Sequence, residues 1–283
     1  DTSNPSSPRV RGSAEIGFFA EDMDVTPDGK YLLVTNGGFA SRIAVLDLDT
    51  QKVVKNDAPK NTLYHNAVSV SPDGKTVITA DYFANYVHVF TLNASGILQY
   101  KDSIEVYRPV NLTISPDGKT VIVASASSPN TGELTYPVLE IKSPGNVRLS
   151  QIVTQNAGLR GAQSIAFNQA GNRAYIHCTA LVPDPYPVDP DYPGPENVIL
   201  ELKKNFMGNW ETGKMIPVEI YGTSQLFGVD TMAMNYKNGY LYVSNPTVSG
   251  GTPYVVVVDV NAGRVVKMLD TDPAQGNMIP GKE

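Results

Sequence analysis

The feature that most constrains the fold is a turn motif, Ser/Thr-Pro-Asp-Gly-Lys, that recurs between short apolar runs. Its glycines, Gly29, Gly74 and Gly118, are separated by 45 and 44 residues. Proline sets φ at the first corner of such a turn and glycine accepts a positive φ, so each copy predicts two strands joined tightly. A period in the mid-forties is the length of one four-stranded propeller blade.

Two further copies of the repeat are degenerate. Their turn glycines are Gly171 and Gly239, which widens the spacing to 53 and then 68 residues. Each repeat predicts four successive strands, and no segment has the pattern of an amphipathic helix. The sequence therefore predicts an all-β chain that forms a single β-propeller domain over residues 1–283. The five predicted repeats are approximately 20–60, 61–106, 107–155, 156–222 and 223–270.

The repeat does not by itself predict how the ring of blades is closed. Residues 9–19 precede the first repeat and are predicted to form an extra outer strand. The fifth repeat, however, already contains its own fourth strand, Arg264 to Leu269. Five complete blades and one additional strand do not close a five-bladed ring. Two interpretations remain open: the chain is part of a six- or seven-bladed ring, or another element or chain completes one edge.

Charge and apolar content exclude two classes of partner. The net charge is −6 and no run of basic residues is longer than the pair Lys203-Lys204, whereas a nucleic-acid binder needs a basic face. The longest apolar run, Val255 to Val258, is far too short to span a membrane. The chain begins without Met and without an apolar leader, which indicates either a mature N-terminus after removal of a signal or an artificial boundary of the expressed chain, and we favour the first. We therefore expect a secreted, periplasmic or cell-surface protein.

Candidate site residues come from the loops that lead into the first strand of each repeat and out of the second. These loops converge at one mouth of a propeller channel. A polar cup for a small ligand or cation is one interpretation, and loop capping by short polar side chains is the other. The candidate catalytic residues are His65, Arg108, Glu21 and Asp230. The candidate ligand-binding residues are Asn36, Asp81, Asn66, Asn111, Gln163 and Asn245.

The other histidines are predicted to lie away from this mouth. His88 alternates with valines, so we expect its side chain to face solvent or a neighbouring blade. His177 and Cys178 are adjacent in a strand and point to opposite faces, which makes them a poor metal pair. As the single cysteine, Cys178 also excludes an intrachain disulfide and a Cys-x-x-Cys-His haem site.

The segment 181–197 is rich in proline, tyrosine and carboxylates. Three interpretations remain open: a solvated loop stiffened by proline, a docking loop for a protein partner, or a calcium site. In each case we expect the loop to project from the propeller body. The candidate calcium ligands are Asp184, Asp189, Asp191 and Glu196. We expect no other cofactor.

The first repeat carries the motif most completely. The Pro-Asp-Gly turn leads into Leu33-Val34-Thr35-Asn36, which is followed by Ile43-Ala44-Val45-Leu46-Asp47 and Lys52-Val53-Val54. From about residue 9 to 270 this pattern resembles the YVTN repeat family. The resemblance implies a propeller, commonly with six or seven blades. It also covers surface-layer and secreted repeat proteins, lactonase-like enzymes and quinoprotein dehydrogenase subunits.

The sequence contains no Gly-x-Ser-x-Gly elbow, P-loop or His-Glu-x-x-His motif. We therefore favour a non-catalytic, extracytoplasmic binding or scaffold propeller. Its partner would be a protein or a small-molecule ligand, bound at a channel mouth or through loop 181–197. The alternative is a lactonase-like hydrolase or a quinoprotein-dehydrogenase-like subunit.

Overall fold

A computed structural model describes most of the chain, and all regular structure in the described part is β-strand. The twenty strands described form five four-stranded antiparallel sheets, which are the blades of a propeller. The prediction of an all-β propeller is confirmed. The first strands of successive blades contact one another, as expected if they are the innermost strands. The described residues are 7, 9–10, 12–16, 19–37, 42–54, 62–128, 131–155, 159–180, 197–218, 232–245 and 254–270.

Each blade is a simple meander, so its strands pair in chain order. Blade 1 contains β1 (Ala20–Val25), β2 (Tyr31–Asn36), β3 (Arg42–Asp47) and β4 (Lys52–Val54). Blade 2 contains β5 (His65–Val70), β6 (Thr76–Asp81), β7 (Tyr86–Leu92) and β8 (Leu98–Glu105). Blade 3 contains β9 (Pro109–Ile114), β10 (Thr120–Ser125), β11 (Leu134–Ser143) and β12 (Asn146–Gln155). Blade 4 contains β13 (Leu159–Phe167), β14 (Arg173–Ala180), β15 (Asn197–Lys204) and β16 (Trp210–Val218). Blade 5 contains β17 (Met232–Asn235), β18 (Tyr240–Asn245), β19 (Tyr254–Asp259) and β20 (Arg264–Asp270).

The repeated turn satisfies its own polar groups. In blade 2 the Ser71 hydroxyl donates to Asp73 Oδ1 at 2.5 Å and accepts the Thr76 amide at 2.9 Å. The Lys75 amide also donates to Asp73 Oδ1, at 3.0 Å. Gly74 takes φ +70°, the left-handed conformation that glycine accepts without strain. These bonds explain why the motif specifies a tight connection between the first two strands.

The degenerate turn of blade 4 reaches the same geometry by another route. Asn168 Oδ1 accepts the backbone amides of Asn172 and Arg173 at 3.1 and 3.0 Å. Gly171 again has a positive φ, +65°. One asparagine therefore replaces the serine and the aspartate of the regular motif.

Neighbouring blades pack face to face through apolar side chains. Between blades 1 and 2, Leu33 and Ile43 share a buried cluster with Val77 and Phe90. Equivalent clusters join blades 2 and 3, 3 and 4, and 4 and 5. Burial of such surface contributes about 25 cal/mol per Å² and is the main stabilising term.

Carboxylates also tie the inner strands of blades 1 and 2 together. Asp22 Oδ2 accepts the Val68 amide at 2.9 Å, and Asp24 Oδ2 accepts the Val70 amide at 2.8 Å. These bonds satisfy amides on the open edge of β5. Burial raises the pKa of both carboxyl groups, and the backbone hydrogen bonds only partly oppose that shift.

The expected outer strand over residues 9–19 is not formed in the part of that segment that the structure describes. Phe19 has φ +51°, which turns the chain just before β1. The segment is held by other contacts: the Asn36 side-chain amide donates to the Ile16 carbonyl, and the Gly37 amide donates to the Phe19 carbonyl at 2.8 Å.

Candidate functional site

The inner strands of blades 1 to 3 bring three of the predicted catalytic residues to one end of the propeller. Glu21 lies in β1, His65 begins β5, and Arg108 directly precedes β9. Tyr64, the residue before His65, donates its hydroxyl hydrogen bond to Glu21 Oε1. We call this end of the described structure the blade 1–3 mouth. Asp230, the fourth candidate, lies outside the described residues.

An aromatic cluster lines the blade 1–3 mouth. The ring of Phe83 meets Tyr64 edge-on with centroids 5.3 Å apart and meets Tyr82 edge-on at 5.1 Å. Phe83 is 59% exposed despite its size, and Tyr107 is also exposed. An exposed group of aromatic rings is typical of a contact surface rather than of a core. None of these four rings was among the site residues predicted from the sequence, although all four flank the first or second strand of a blade.

Arg108 supplies a cation beside these rings. Its guanidinium carbon lies 5.6 Å from the centre of the Tyr82 ring and 5.7 Å from that of Tyr107. The backbone is in the left-handed region, with φ 37°, and its amide donates to Asn85 Oδ1 at 2.9 Å. Strained backbone of this kind persists where surrounding contacts hold it. The guanidinium is exposed, and no carboxylate among the described residues forms an ion pair with it.

Glu21 and Tyr64 form a polar pair beside the aromatic cluster. Burial and, to a smaller extent, the adjacent Glu21 carboxylate together raise the pKa of Tyr64 to about 12. The phenol therefore stays protonated and donates. The buried Gly37 fits against this pair closely, because a Cβ at that position would stand 2.5 Å from the Tyr64 ring. The chain after β2 thus fixes where the Glu21–Tyr64 pair lies.

His65, the predicted base, is fully buried beneath the mouth. Its Nδ1 lies 3.0 Å from the Thr79 hydroxyl on β6. Burial and the nearby His88 lower the pKa of His65 to about 4, although Asp81 acts in the opposite direction. The imidazole is consequently neutral at pH 7 and has no exposed face toward a ligand in the mouth.

Asp81 is equally buried and holds the chain on both sides of it. One oxygen, Oδ2, accepts the Leu63 amide at 2.7 Å. The other, Oδ1, accepts the amides of Tyr64 and Ala84 at 2.9 and 3.1 Å. Burial acts to raise the pKa of Asp81, but His88 and these three amides outweigh it and the pKa is lowered. Asp81 is therefore a buried carboxylate that positions the mouth segment at Tyr64.

His88 lies next to Asp81 and is buried, so of the two expected environments, solvent or a neighbouring blade, the second is the one observed. Its register opposite Thr79 on β6 places it on the face of blade 2 that packs toward blade 1. His88 Nδ1 is 2.7 Å from the Ser103 hydroxyl, which in turn is 2.8 Å from the Tyr100 hydroxyl. His88 Nε2 is 3.6 Å from Asp81 Oδ2.

Together these residues form a polar row across blade 2. The histidine rings of His65 and His88 meet edge-on at 5.4 Å. One ligand atom from each of His65, Asp81 and His88 can be chosen so that all lie within 4.8 Å of one another. We refer to His65, Thr79, Asp81, His88 and Ser103 as the polar row. Two imidazoles and a carboxylate at this spacing are a set of donors that can hold a metal ion.

The predicted ligand-binding residues with amide side chains divide into two groups. Asn36 is buried and Asn66 is half-buried, and the side-chain amide of each donates to backbone carbonyls, including Pro109 O at 3.1 Å for Asn66. These amides are engaged in the fold. Asn111 and Gln163 are half-buried on inner strands, and Asn245 lies at the end of β18. A binding role for these three stays a prediction.

The remaining candidates lie outside the described residues or in blade 4. The predicted calcium ligands Asp184, Asp189, Asp191 and Glu196 lie outside the described residues, as does most of loop 181–197. Cys178 is fully buried in blade 4, 3.4 Å from the Tyr136 hydroxyl. Burial raises the pKa of its thiol to about 12, so it is not a thiolate ligand at neutral pH.

The comparisons with known proteins agree with this architecture. Residues 47–135, which include the whole of blade 2, match the family described as "Lactonase, 7-bladed beta-propeller". No curated protein matches the chain significantly. No helix among the described residues is long and apolar enough to cross a membrane.

Solved structures show the same fold at low sequence identity. A protein of unknown function from Desulfotomaculum acetoxidans is 21% identical with a TM-score of 0.72, over 94% of this chain and 76% of that one. A periplasmic gluconolactonase from Pseudomonas aeruginosa is 18% identical with a TM-score of 0.62, over 89% and 69%. Hydrazine synthase from Kuenenia stuttgartiensis is 16% identical with a TM-score of 0.53, over 93% and 90%. The chain is thus similar to lactonase-like β-propellers.

Proposed function

We propose that this chain is an extracytoplasmic binding propeller that takes a small sugar acid, or its lactone, at the blade 1–3 mouth. The observation that carries the proposal is Arg108, an exposed guanidinium fixed between Tyr82 and Tyr107. A guanidinium binds a carboxylate with two parallel hydrogen bonds, and aromatic rings pack against the apolar faces of sugars. The periplasmic gluconolactonase of similar fold supports both the ligand class and the location.

Binding is favoured over catalysis by the state of the mouth residues. His65 is sealed below the surface, and Glu21 accepts a hydrogen bond from Tyr64. Neither is placed as an unengaged base in the described part of the mouth. A second candidate function, lactone hydrolysis, is favoured by the family match, because residues 47–135 include Tyr64, Asp81 and Arg108. Contact between loop 181–197 and a protein partner stays a prediction from the sequence.

Calorimetric titration with gluconate and with glucono-δ-lactone tests the binding proposal. We expect Arg108→Ala to weaken gluconate binding at least about tenfold, since a charge-assisted hydrogen bond is lost. Arg148→Ala is the matched control, because Arg148 is also exposed but lies on the outer strand β12, 3.6 Å from Asp102. Equal gluconate affinity in wild type and Arg108→Ala would contradict the proposal.

Lactone opening can be measured as the uptake of base at constant pH, and this measurement distinguishes binding from hydrolysis. The binding proposal predicts no acceleration of glucono-δ-lactone opening over buffer. Acceleration that Glu21→Gln abolishes, with the protein still folded, would establish the hydrolase instead.

A further inference from the structure

We propose that His65, Asp81 and His88 bind a divalent transition-metal ion, for which Zn²⁺ is the best fit. The site lies within blade 2 and joins the start of β5 to the end of β6 and to β7. It does not depend on the proposed sugar-acid ligand.

The distances suit a metal after a small contraction. His88 Nε2 and Asp81 Oδ2 are 3.6 Å apart, and one donor atom from each of the three residues lies within 4.8 Å of the others. Bonds of about 2.0–2.1 Å in a tetrahedral zinc site place neighbouring ligand atoms about 3.3 Å apart. Separations of up to 4.8 Å would therefore have to shorten by as much as about 1.5 Å, so side-chain shifts of up to about 1 Å complete the three-ligand set.

The outer nitrogens of both imidazoles are already supported. His65 Nδ1 lies 3.0 Å from the Thr79 hydroxyl, and His88 Nδ1 lies 2.7 Å from the Ser103 hydroxyl. Metal-binding histidines usually engage their second ring nitrogen in this way, which fixes the tautomer and the ring orientation. With Nδ1 engaged in each ring, Nε2 is the nitrogen that a metal takes.

Burial of the polar groups at this site favours the binding of a cation. His88 is 4% exposed, and its Nε2 is a buried atom without a hydrogen-bond partner among the described residues. A buried polar atom without a partner costs about 1–3 kcal/mol. The neighbouring carboxylate of Asp81 is fully buried as well, and a bound cation would serve both groups.

The donor types select among metals. Calcium and magnesium take oxygen ligands almost exclusively, whereas imidazole suits zinc, copper, nickel and cobalt. Two imidazoles and one carboxylate form a three-ligand zinc set that leaves the fourth position to water. This site is therefore different from the calcium alternative for loop 181–197.

Metal titration of the purified, chelator-treated protein tests the proposal. We expect one equivalent of Zn²⁺ to bind with micromolar or tighter affinity and to raise the melting temperature, because it binds only the folded state. Co²⁺ should give the intense visible absorption of a four-coordinate site. Ca²⁺ and Mg²⁺ at the same concentrations should change neither signal.

Two variants and one control locate the binding. His88→Gln and Asp81→Asn should each weaken Zn²⁺ binding at least about tenfold and abolish the Co²⁺ absorption. Asn36 occupies the position equivalent to Asp81 in blade 1, so Asp81→Asn carries the test if His88→Gln does not fold. His177→Asn is the control, since it removes an equally buried histidine from blade 4. Zinc affinity that both variants leave within about twofold of wild type, or the weak spectrum of six-coordinate cobalt, would overturn the proposal.

Discussion

Blades 2 and 4 have the same strand order and the same contact with the preceding blade, but the buried faces differ in chemistry. The strand registers align the two blades position by position. Ile176 and Cys178 of blade 4 stand where blade 2 has Thr79 and Asp81. Leu200 and Met215 stand where blade 2 has His88 and Ser103. Ala162, opposite Cys178, corresponds to His65, opposite Asp81. Each polar member of the row in blade 2 has an apolar or thiol counterpart in blade 4.

This difference shows that the propeller scaffold does not require the polar row. In blade 4 the corresponding residues Ile176, Cys178 and Leu200 belong to the apolar core shared with blade 3. Burying a carboxylate and two imidazoles instead is expensive unless each group has a partner. We conclude that blade 2 is specialised: Asp81 holds the mouth segment in place and the row offers the donors of the proposed metal site, whereas the same positions in blade 4 contribute apolar packing.

The largest expected effect is that of Asp81→Ala. It leaves the buried amides of Leu63, Tyr64 and Ala84 without their acceptor, and we expect a loss of about 4 kcal/mol in unfolding free energy. The same truncation in blade 4, Cys178→Ala, should cost about 1 kcal/mol, because it removes one small buried group. Denaturant unfolding of the two variants measures the difference. Equal losses would mean that the two rows play the same part in the fold.

The second prediction concerns how the unfolding free energy falls at acidic pH. The pKa of His65 is lowered from 6.5 to about 4, so the unfolded state binds more protons than the folded state between these values. The stability that this group contributes is therefore present above about pH 6.5 and is lost as pH falls toward 4. The loss is on the order of 3 kcal/mol.

His65→Asn should flatten the pH dependence of unfolding free energy over this window, whereas Cys178→Ala in blade 4 should leave it unchanged. Asp81 acts in the same direction but at lower pH, because its own pKa is lowered from 3.8. Denaturant unfolding at half-unit pH steps provides the measurement. An unaltered slope in His65→Asn would show that His65 is not the group responsible.

The smallest expected change in stability comes from removing or adding a single hydroxyl group. Thr79→Val keeps the side-chain shape and removes the contact with His65 Nδ1, which should cost about 1 kcal/mol. The reverse exchange in blade 4, Ile176→Thr, places a hydroxyl in an apolar cluster and also removes buried methyl groups, so it should cost more, about 2–3 kcal/mol. Thermal unfolding of both variants is sufficient. A larger loss for Thr79→Val would contradict the proposed contrast.

The architecture could be predicted because the turn motif fixes strand boundaries locally. Gly74 and Gly118 follow proline and aspartate, and the structure gives both glycines positive φ values, as such turns require. The end of the fifth repeat's outer strand was predicted one residue short: β20 extends over Arg264–Asp270, whereas the sequence indicated Arg264 to Leu269. The outer strand of a blade has one exposed face and mixed composition, so its ends carry little signal.

The site was predicted only in part, for reasons of register. Glu21 and Arg108 stood out by their position before the inner strands. His88 did not, because which face of β7 it occupies is decided by pairing with Thr79 and Ser103 on other strands. A comparison of aligned repeats offers the missing signal, since Thr79 and Asp81 stand where the third repeat has Val123 and Ser125.

One measurement compares blades 2 and 4 directly, because the chain has three histidines and they fall in these two blades: His65 and His88 in blade 2, and His177 in blade 4. Long-range ¹H–¹⁵N spectra of histidine-labelled protein resolve the ring nitrogens of each. On addition of one equivalent of Zn²⁺, the account predicts that the Nε2 signals of His65 and His88 shift together while those of His177 do not move. Unchanged blade 2 histidines, or a shift of His177 alone, would contradict it.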